Sequence, residues 1–486
     1  MKKNQQNLNW KGGRMVKKVP MYLQIAQSIR QKIDRGEWVI GSKIPTQREI
    51  AEQFQVNRST VITAIDILKS EGLLEGITGS GIYVSNNQWS LLSSSSPPNW
   101  KELTQWATQP SSDHIVQLIN DSESRKDLIQ LSKGELGPDL YPHAEIEKSL
   151  IKVTAQLQEF GYGNGLGDKG LREEISRHLL THGMEIAPEN ILIVSGALQA
   201  LKLISIGILK KGSTVFLESP SYLHSINLFR AEDMTLKPIL VDRDGLVLDE
   251  LFQHYIPKHS AALYINPTFH NPSGTTMSTK RRELLIERCQ SLRLPVIEDD
   301  IFRDLWIDRP PPLSLKTLDK HGQVIYIGSF SKTIAPGLRI GWLAGPETVV
   351  KRLSDVRMQT DYGSSYLSQL LVKELLSSGL YEKHLLRVRA RLKEKRDFLL
   401  HLLNEHFSHD ATWDKPAGGF FIRVVLKDKI NMHRLFKSCL NHSLLINPGF
   451  IYRDFTPSIR LSFAYATERE MEEGIIQLKR NIKNNL

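Results

Sequence analysis

Lys332 follows two serines, Ser329 and Ser331, and precedes Arg339 by seven residues, in a run (328–341) otherwise rich in apolar residues, glycine and proline. An amine attacks a carbonyl only after losing its proton, which a desolvating site favours. Hydroxyls and a guanidinium are what a bound phosphate needs. The run therefore holds the parts of an imine-forming lysine beside a phosphate seat. Four other stretches carry compatible chemistry. In Val194-Ser195-Gly196-Ala197-Leu198-Gln199 a strand passes through small residues into a helix, whose first N–H groups and dipole attract phosphate, although many strand-to-helix turns look alike. Tyr222, in Glu218-Ser219-Pro220-Ser221-Tyr222, can stack on a flat ring or serve as a core tyrosine. Val296-Ile297-Glu298-Asp299-Asp300 is an apolar strand ending in acids. Pro457-Ser458-Ile459-Arg460 offers a guanidinium suited to a carboxylate, or to a structural salt bridge.

A different chemistry opens the chain. Residues 1–85 hold 13 Lys and Arg against 7 Asp and Glu, a balance of +6, leaving +4 of the total +10 for the other 401 residues. Charge concentrated in a small N-terminal part suggests a polyanionic partner. Tyr22, Ile25, Ile29 and Ile33 recur at helical spacing. Thr46-Gln47-Arg48-Glu49 has the form of a capping box opening a second helix. Gln55-Val56-Asn57 is the turn, and Arg58-Ser59-Thr60-Val61 begins a third helix with Ile62, Ala64, Ile65 and Leu68 inward. Leu73-Leu74, the tip Thr78-Gly79-Ser80-Gly81 and Ile82-Tyr83-Val84 read as a hairpin, a wing. A helix-turn-helix presents the polar start of its second helix to the major groove of double-stranded DNA. Arg58 suits guanine edges, and Arg48 with the hydroxyls of Thr46, Ser59, Thr60 and Ser80 suits the phosphate backbone. A helical protein-interaction module with solvated arginines is the plainer alternative.

The elements that must position these residues follow from pattern. Short apolar runs (191–194, 214–217, 262–265, 296–297, 324–327) alternate with longer helical periods, which argues a mostly parallel α/β sheet with a smaller α+β part after it. The most apolar window, 191–209, contains Gln199, Lys202, two serines and two glycines, so it reads as strand, glycine turn and helix rather than a membrane span. The two cysteines, Cys289 and Cys439, offer neither a disulfide framework nor a metal centre and fit a reducing, cytoplasmic compartment. The basic N-terminus lacks an apolar run behind it and is no signal peptide. The expected organisation is a basic arm (1–18), a winged helix-turn-helix domain (19–85), a Ser/Pro-rich linker with three tryptophans (86–113) and a large domain (114–486).

The order of Pro-Thr-x-Arg-Glu helix, Asn-Arg-Ser-Thr-Val helix and Gly-x-Gly hairpin resembles the GntR-type winged helix, which implies DNA contacts from Arg48, Arg58, Ser59, Thr60 and the wing at Ser80. The large domain resembles fold-type-I aminotransferases, which hold pyridoxal 5′-phosphate (PLP). That resemblance implies Lys332 as the Schiff-base lysine, with Ser195, Gly196, Ala197, Leu198, Ser329, Ser331 and Arg339 around the phosphate. It also implies Tyr222 stacked on the ring, Asn271 (in Asn266-Pro267-Thr268-Phe269-His270-Asn271-Pro272) on the ring's 3′ oxygen, Asp299 on its nitrogen and Arg460 on a substrate carboxylate. Tyr162 resembles the tyrosine that reaches a neighbouring subunit's phosphate. The family's tyrosine two or three residues after the aspartate is replaced by Ile301 and Phe302, which puts efficient transamination in doubt. The two halves together resemble MocR-type transcriptional regulators. This implies a homodimer, often head to tail, that binds an operator and senses an amino acid or related amine through an external aldimine. A working aminotransferase with a regulatory head, or a sensor of PLP itself, are the other readings.

Overall fold

The computed structural model describes residues 10–11, 14–15, 19–85, 113–157, 161, 163–256 and 260–484. The chain divides into two compact units between residues 107 and 108. Among the described residues no helix is long and apolar enough to cross a membrane.

In the smaller unit, helices α1 (Met21–Asp34), α2 (Gln47–Phe54) and α3 (Arg58–Ser70) precede a hairpin of β1 (Leu74–Ile77) and β2 (Gly81–Val84). The capping box forms: Thr46 Oγ1 accepts from the Glu49 N–H, and Glu49 accepts from the Thr46 N–H. Gln55, at φ 51°, turns the chain out of α2. Ile25, Ile29 and Ile33 pack with Ile50, Ala51, Ala64, Ile65 and Leu68 in one core. One assignment is corrected. Ile62 faces out at 37% exposure, and Val61, at 0%, takes the inward place. Val61 has the i, i+3, i+4, i+7 spacing with Ala64, Ile65 and Leu68, whereas Ile62 is about 100° further round the helix.

The larger unit is built on an eight-stranded sheet. After β3 (Ile129–Gln130) its strands are β4 (Ile191–Val194), β5 (Thr214–Ser219), β6 (Thr235–Asp242), β7 (Gly245–Leu246), β8 (Ala261–Ile265), β9 (Val296–Asp299), β10 (Val324–Ser329) and β11 (Gly341–Ala344). Their order in space is β4-β11-β10-β9-β8-β5-β6-β7. Neighbours from β10 to β6 run parallel, and β11 is antiparallel to both of its neighbours. All five apolar runs picked out in the sequence are strands of this sheet, and the 191–209 window becomes β4, a Ser195-Gly196 turn and the helix Ala197–Gly207. A four-stranded sheet follows: β12 (Ala411–Thr412), β13 (Phe421–Leu426), β15 (Asn447–Pro448) and β16 (Ser458–Ser462), ordered β12-β13-β16-β15; β14 (Leu444–Leu445) pairs instead with β3. The carboxyl ends of β4, β5, β8, β9 and β10 lie along one edge of the large sheet, where open α/β sheets bind ligands.

Candidate functional site

Much of the expected set gathers at that edge because it follows the ends of parallel strands. Ser195 follows β4, Ser219 closes β5, Asn266 follows β8, Asp299 closes β9 and Ser329 closes β10. Of these, Asp299 and Ser329, with Arg460 of β16, border a cavity of about 310 Å³. Ala197, Leu198, Tyr222, Asn271, Asp299, Ser329, Ser331, Lys332, Arg339 and Arg460 all line it. Ser195 and Gly196 stand one layer back. Arg339 donates from Nη2 to the Ser195 carbonyl at 2.6 Å, and a Cβ at Gly196 (φ +92°) would lie 2.9 Å from that same nitrogen. Glycine there lets the guanidinium lie against the turn. Tyr162, like most of the basic arm and nearly all of the linker, falls outside the described residues.

Lys332 Nζ donates to the Gly134 carbonyl at 2.6 Å. Burial pushes its ammonium below the usual lysine range, with the Glu135 carboxylate opposing and Arg460 adding to the push. That is the bias an imine-forming amine requires. Asp299 is buried, and its Oδ2 accepts from the Tyr264 hydroxyl at 2.7 Å. Its Oδ1 has no partner among the described residues. Burial raises this carboxyl to about 6, the Tyr264 hydrogen bond working against the rise. A cation at Oδ1 would hold the carboxylate ionised. Ser331 Oγ is likewise buried and unpartnered, beside Arg339 in the lining. Two orphaned polar atoms, one anionic and one a hydroxyl donor, are what a pyridinium nitrogen and a phosphate would each satisfy.

Arg460 is held on several sides. Nη1 donates to Asn271 Oδ1 at 2.8 Å, Nη2 to the Ser132 carbonyl at 2.7 Å, and the Phe421 ring lies 4.0 Å from the guanidinium carbon. Its Nε is buried without a partner. With the Asn271 oxygen taken by Arg460, the amide NH₂ is the group left to donate into the cavity. Asn266 fixes this loop: Oδ1 accepts from the Asn271 N–H at 2.8 Å and Nδ2 donates to the Asp299 carbonyl at 2.6 Å. Ile301 and Phe302 both line the cavity, Phe302 edge-on against Phe420 and Phe421, and neither supplies a phenol. A phenol does reach Asp299, but from Tyr264 on β8.

Several members of the site gave no signal in the sequence. Glu123, Lys133, Gly134, Glu135, Phe421 and Tyr452 line the cavity from segments far from any motif. Lys133 and Glu135 form an ion pair at 2.6 Å. Behind the lysine, the Asp304 carboxylate accepts from His178 (3.0 Å), His182 (2.9 Å) and the Tyr381 hydroxyl (2.8 Å), and Tyr381 also meets Thr333 Oγ1 at 3.1 Å. A carboxylate with three donors is a satisfied hydrogen-bond hub that braces the residue next to Lys332.

On the smaller unit, Arg48, Arg58 and Thr60 border one concavity with Gln55 and Asn57. Arg58 donates from Nε and Nη2 to Gln47 Oε1 (3.1 and 3.0 Å), and Arg48 pairs with Glu52 at 3.2 Å. Ser59 and Thr46 are exposed on the same two helices, and Ser80, at the wing tip, meets the Tyr83 hydroxyl at 2.7 Å. The sequence did not single out Lys43, which reaches the wing: a Cβ at Gly81 (φ +131°) would come within 2.6 Å of its Cε.

Residues 126–478 match the family model Aminotransferase class I and II, and residues 21–84 match that of bacterial regulatory proteins of the gntR family. The HTH-type transcriptional regulator YdfD of Bacillus subtilis is 48% identical over 96% of this chain and 97% of its own length. The HTH-type transcriptional regulator NorG of Staphylococcus aureus is 40% identical over 91% of this chain and 99% of its own. Among solved structures, kynurenine aminotransferase of Pyrococcus horikoshii superposes with a TM-score of 0.74 at 30% identity, covering 80% of this chain and 99% of its own.

Proposed function

The chain belongs to the class I and II aminotransferases over its larger unit and to the gntR family of bacterial regulators over its smaller one; on that premise we propose that it is a transcriptional regulator that reads an amino acid or related amine through PLP held at Lys332. PLP, when bound, supplies an aldehyde carbon with which an amine can condense. Lys332 would hold that carbon, Asp299 the ring nitrogen, and Ser331 with Arg339 the phosphate. Tyr222 would cover the ring, and Asn271 would donate to its 3′ oxygen. Arg460 would take the effector's carboxylate while the effector's amine displaces that of Lys332. The one observation that carries the reading is the buried Oδ1 of Asp299, without a hydrogen-bond partner among the described residues, which shares a cavity with a lysine whose ammonium is disfavoured.

Release of the Lys332 side chain by an effector would alter the contacts available inside the larger unit and would shift its conformational population. The linker would pass that shift to the heads of a homodimer, arranged head to tail. Two tethered heads bind paired half-sites with raised effective concentration. Transamination is disfavoured by the apolar pair Ile301 and Phe302 at the position of the family's phenol.

The test is a spectral titration of the full-length, PLP-loaded protein against a panel of amines, with operator binding followed in parallel. The expected result is a visible band that borohydride abolishes, that an amine shifts, and whose shift changes DNA affinity without sustained release of keto acid. Many turnovers per site would instead make the protein an enzyme. A band that no amine moves would remove the sensor.

A further inference from the structure

Seven charged side chains line the cavity: Glu123, Lys133, Glu135, Asp299, Lys332, Arg339 and Arg460. The proposed function uses four of them. Asp299 faces the ring nitrogen, Lys332 the aldehyde carbon, Arg339 the phosphate and Arg460 the effector's carboxylate. Lys133 and Glu135 neutralise each other at 2.6 Å, and the Lys133 ammonium also lies 4.3 Å over the Tyr465 ring. Glu123 is left over. Its side chain makes no hydrogen bond or ion pair with any described residue, and it is half-buried at the end of the helix His114–Ser122. Val116, Ile119 and Asn120 of that helix line the same cavity, so part of the helix borders it beside Glu123.

We infer that Glu123 is the counter-ion for a cationic group on the effector's side chain, and that the effector is therefore a basic amino acid rather than an acidic or a purely apolar one. The inference rests on the sensor reading above and adds the ligand's third point of attachment. A free carboxylate in a half-enclosed cavity is costly to desolvate unless a cation meets it. Burial does push the Glu123 carboxyl up from its usual range, with Arg460 the largest opposing influence. Arg460, however, is already committed to Asn271 and Ser132, and a ligand carboxylate placed on it would remove what relief it gives Glu123. An incoming ammonium or guanidinium restores the balance. A second carboxylate on the ligand would face Glu123 and be repelled, since like charges brought together in a desolvated pocket discriminate strongly. The helix that Glu123 caps is the first described helix after the smaller unit in the sequence.

The experiment uses the full-length PLP-loaded protein and follows the concentration of amino acid that half-shifts the visible band. L-lysine and L-norleucine have side chains of nearly the same length and differ in the terminal ammonium, and L-glutamate supplies the opposite charge. L-lysine or L-ornithine is expected to act at a concentration at least about tenfold below that of L-norleucine, roughly the difference one charge-assisted contact makes. L-glutamate should be the weakest of the set. Glu123→Gln should bring lysine and norleucine within about threefold of each other, and Glu123→Lys should reverse the order in favour of glutamate. Equal response to lysine and norleucine in the wild type, or a lysine preference that survives both substitutions, overturns the assignment to Glu123 while leaving the sensor reading intact. A band that no amine shifts overturns both.

Discussion

The helix-turn-helix head and the cavity of the larger unit hold their polar side chains in opposite ways. In the head, Arg48 is 86% exposed and, among the described residues, paired with Glu52 alone, itself 68% exposed, on the same helix. Arg58 rests on Gln47. In the cavity, Asp299 and Arg460 are each 5% exposed and fixed by Tyr264, Asn271 and Ser132. An exposed ion pair is worth about 0–1 kcal/mol, so phosphates and bases can displace Glu52 and Gln47 at little cost. A buried, oriented group loses far more when its partner goes, about 3–5 kcal/mol for a broken buried pair. The side chains of the head are free to exchange partners, and those of the cavity are held in one arrangement.

The largest expected effect comes from removing the cavity's nucleophile. Lys332→Ala should abolish the borohydride-reducible band outright, while operator binding in the absence of effector stays within about threefold of wild type. Absorption spectra and a gel-shift titration on the same preparation check it. A variant that keeps the reducible band would move the covalent link to another amine, and one that loses operator binding would mean the two regions are not separable.

Asp299 gives the next largest effect, and one that depends on pH. Burial raises its carboxyl from 3.8 to about 6, so the folded, cofactor-free protein keeps this proton where the unfolded chain has lost it. The group then favours folding below about pH 4, and that contribution is lost as pH rises through about 6, by about 3 kcal/mol. Asp299→Asn should flatten the stability of the cofactor-free protein over that interval, measured by urea unfolding at several pH values. Glu218, raised to about 8, and Glu298, raised to about 7, lie in the same buried layer and account for slope that persists above it. If the wild-type and Asn curves run parallel, the carboxyl is not protonated in the cofactor-free fold.

Much of this contrast was readable in the chain. The head is a local object: its helices, capping box and wing lie within 21–84, and only the phase of one apolar position, Val61 for Ile62, needed the structure. Most motifs that line the cavity were readable as well, because each is a short run at a strand end, Arg460 inside β16 being the exception. The layer that orients them was not. Tyr264 meets Asp299 across 35 residues, Arg460 meets Asn271 across 189 and Ser132 across 328, and Lys332 meets Gly134 across 198. Such contacts are decided by which strands become neighbours, and nothing in the local pattern around Tyr264 or Gly134 marks them. The antiparallel β11, a short apolar run like the others, also shows its direction only through its pairing with β10 and β4.

A middling effect belongs to base readout. Arg58→Ala should weaken specific operator binding by about 1–3 kcal/mol, with little change on non-specific DNA. A fluorescence-anisotropy titration with operator and scrambled duplexes at one salt concentration separates the two. Equal losses on both duplexes would make Arg58 a phosphate contact and sharpen the picture of the head as a purely electrostatic surface.

The smallest effect tests whether a head residue is structural or functional. Thr46 Oγ1 accepts from the Glu49 N–H at 3.3 Å, and Glu49 Oε2 accepts from the Thr46 N–H at 2.7 Å. The same hydroxyl is exposed on the surface assigned to DNA, so it has two possible employments. Losing an N-cap hydroxyl costs about 0.5–2 kcal/mol. In a unit of this size each 1 kcal/mol lowers the melting temperature by roughly 4–8 °C, so the loss spans about 2–16 °C. Thr46→Ala should therefore shift the head's calorimetric transition and leave the temperature at which the visible band is lost unchanged. Operator affinity, measured well below both transitions, should change little if the cap is the whole of the residue's work. An affinity loss of about tenfold or more at a temperature where the head remains folded would place the hydroxyl on the phosphate backbone instead. In that case even the head would contain a side chain held in place by the scaffold before its ligand arrives, as the side chains of the cavity are.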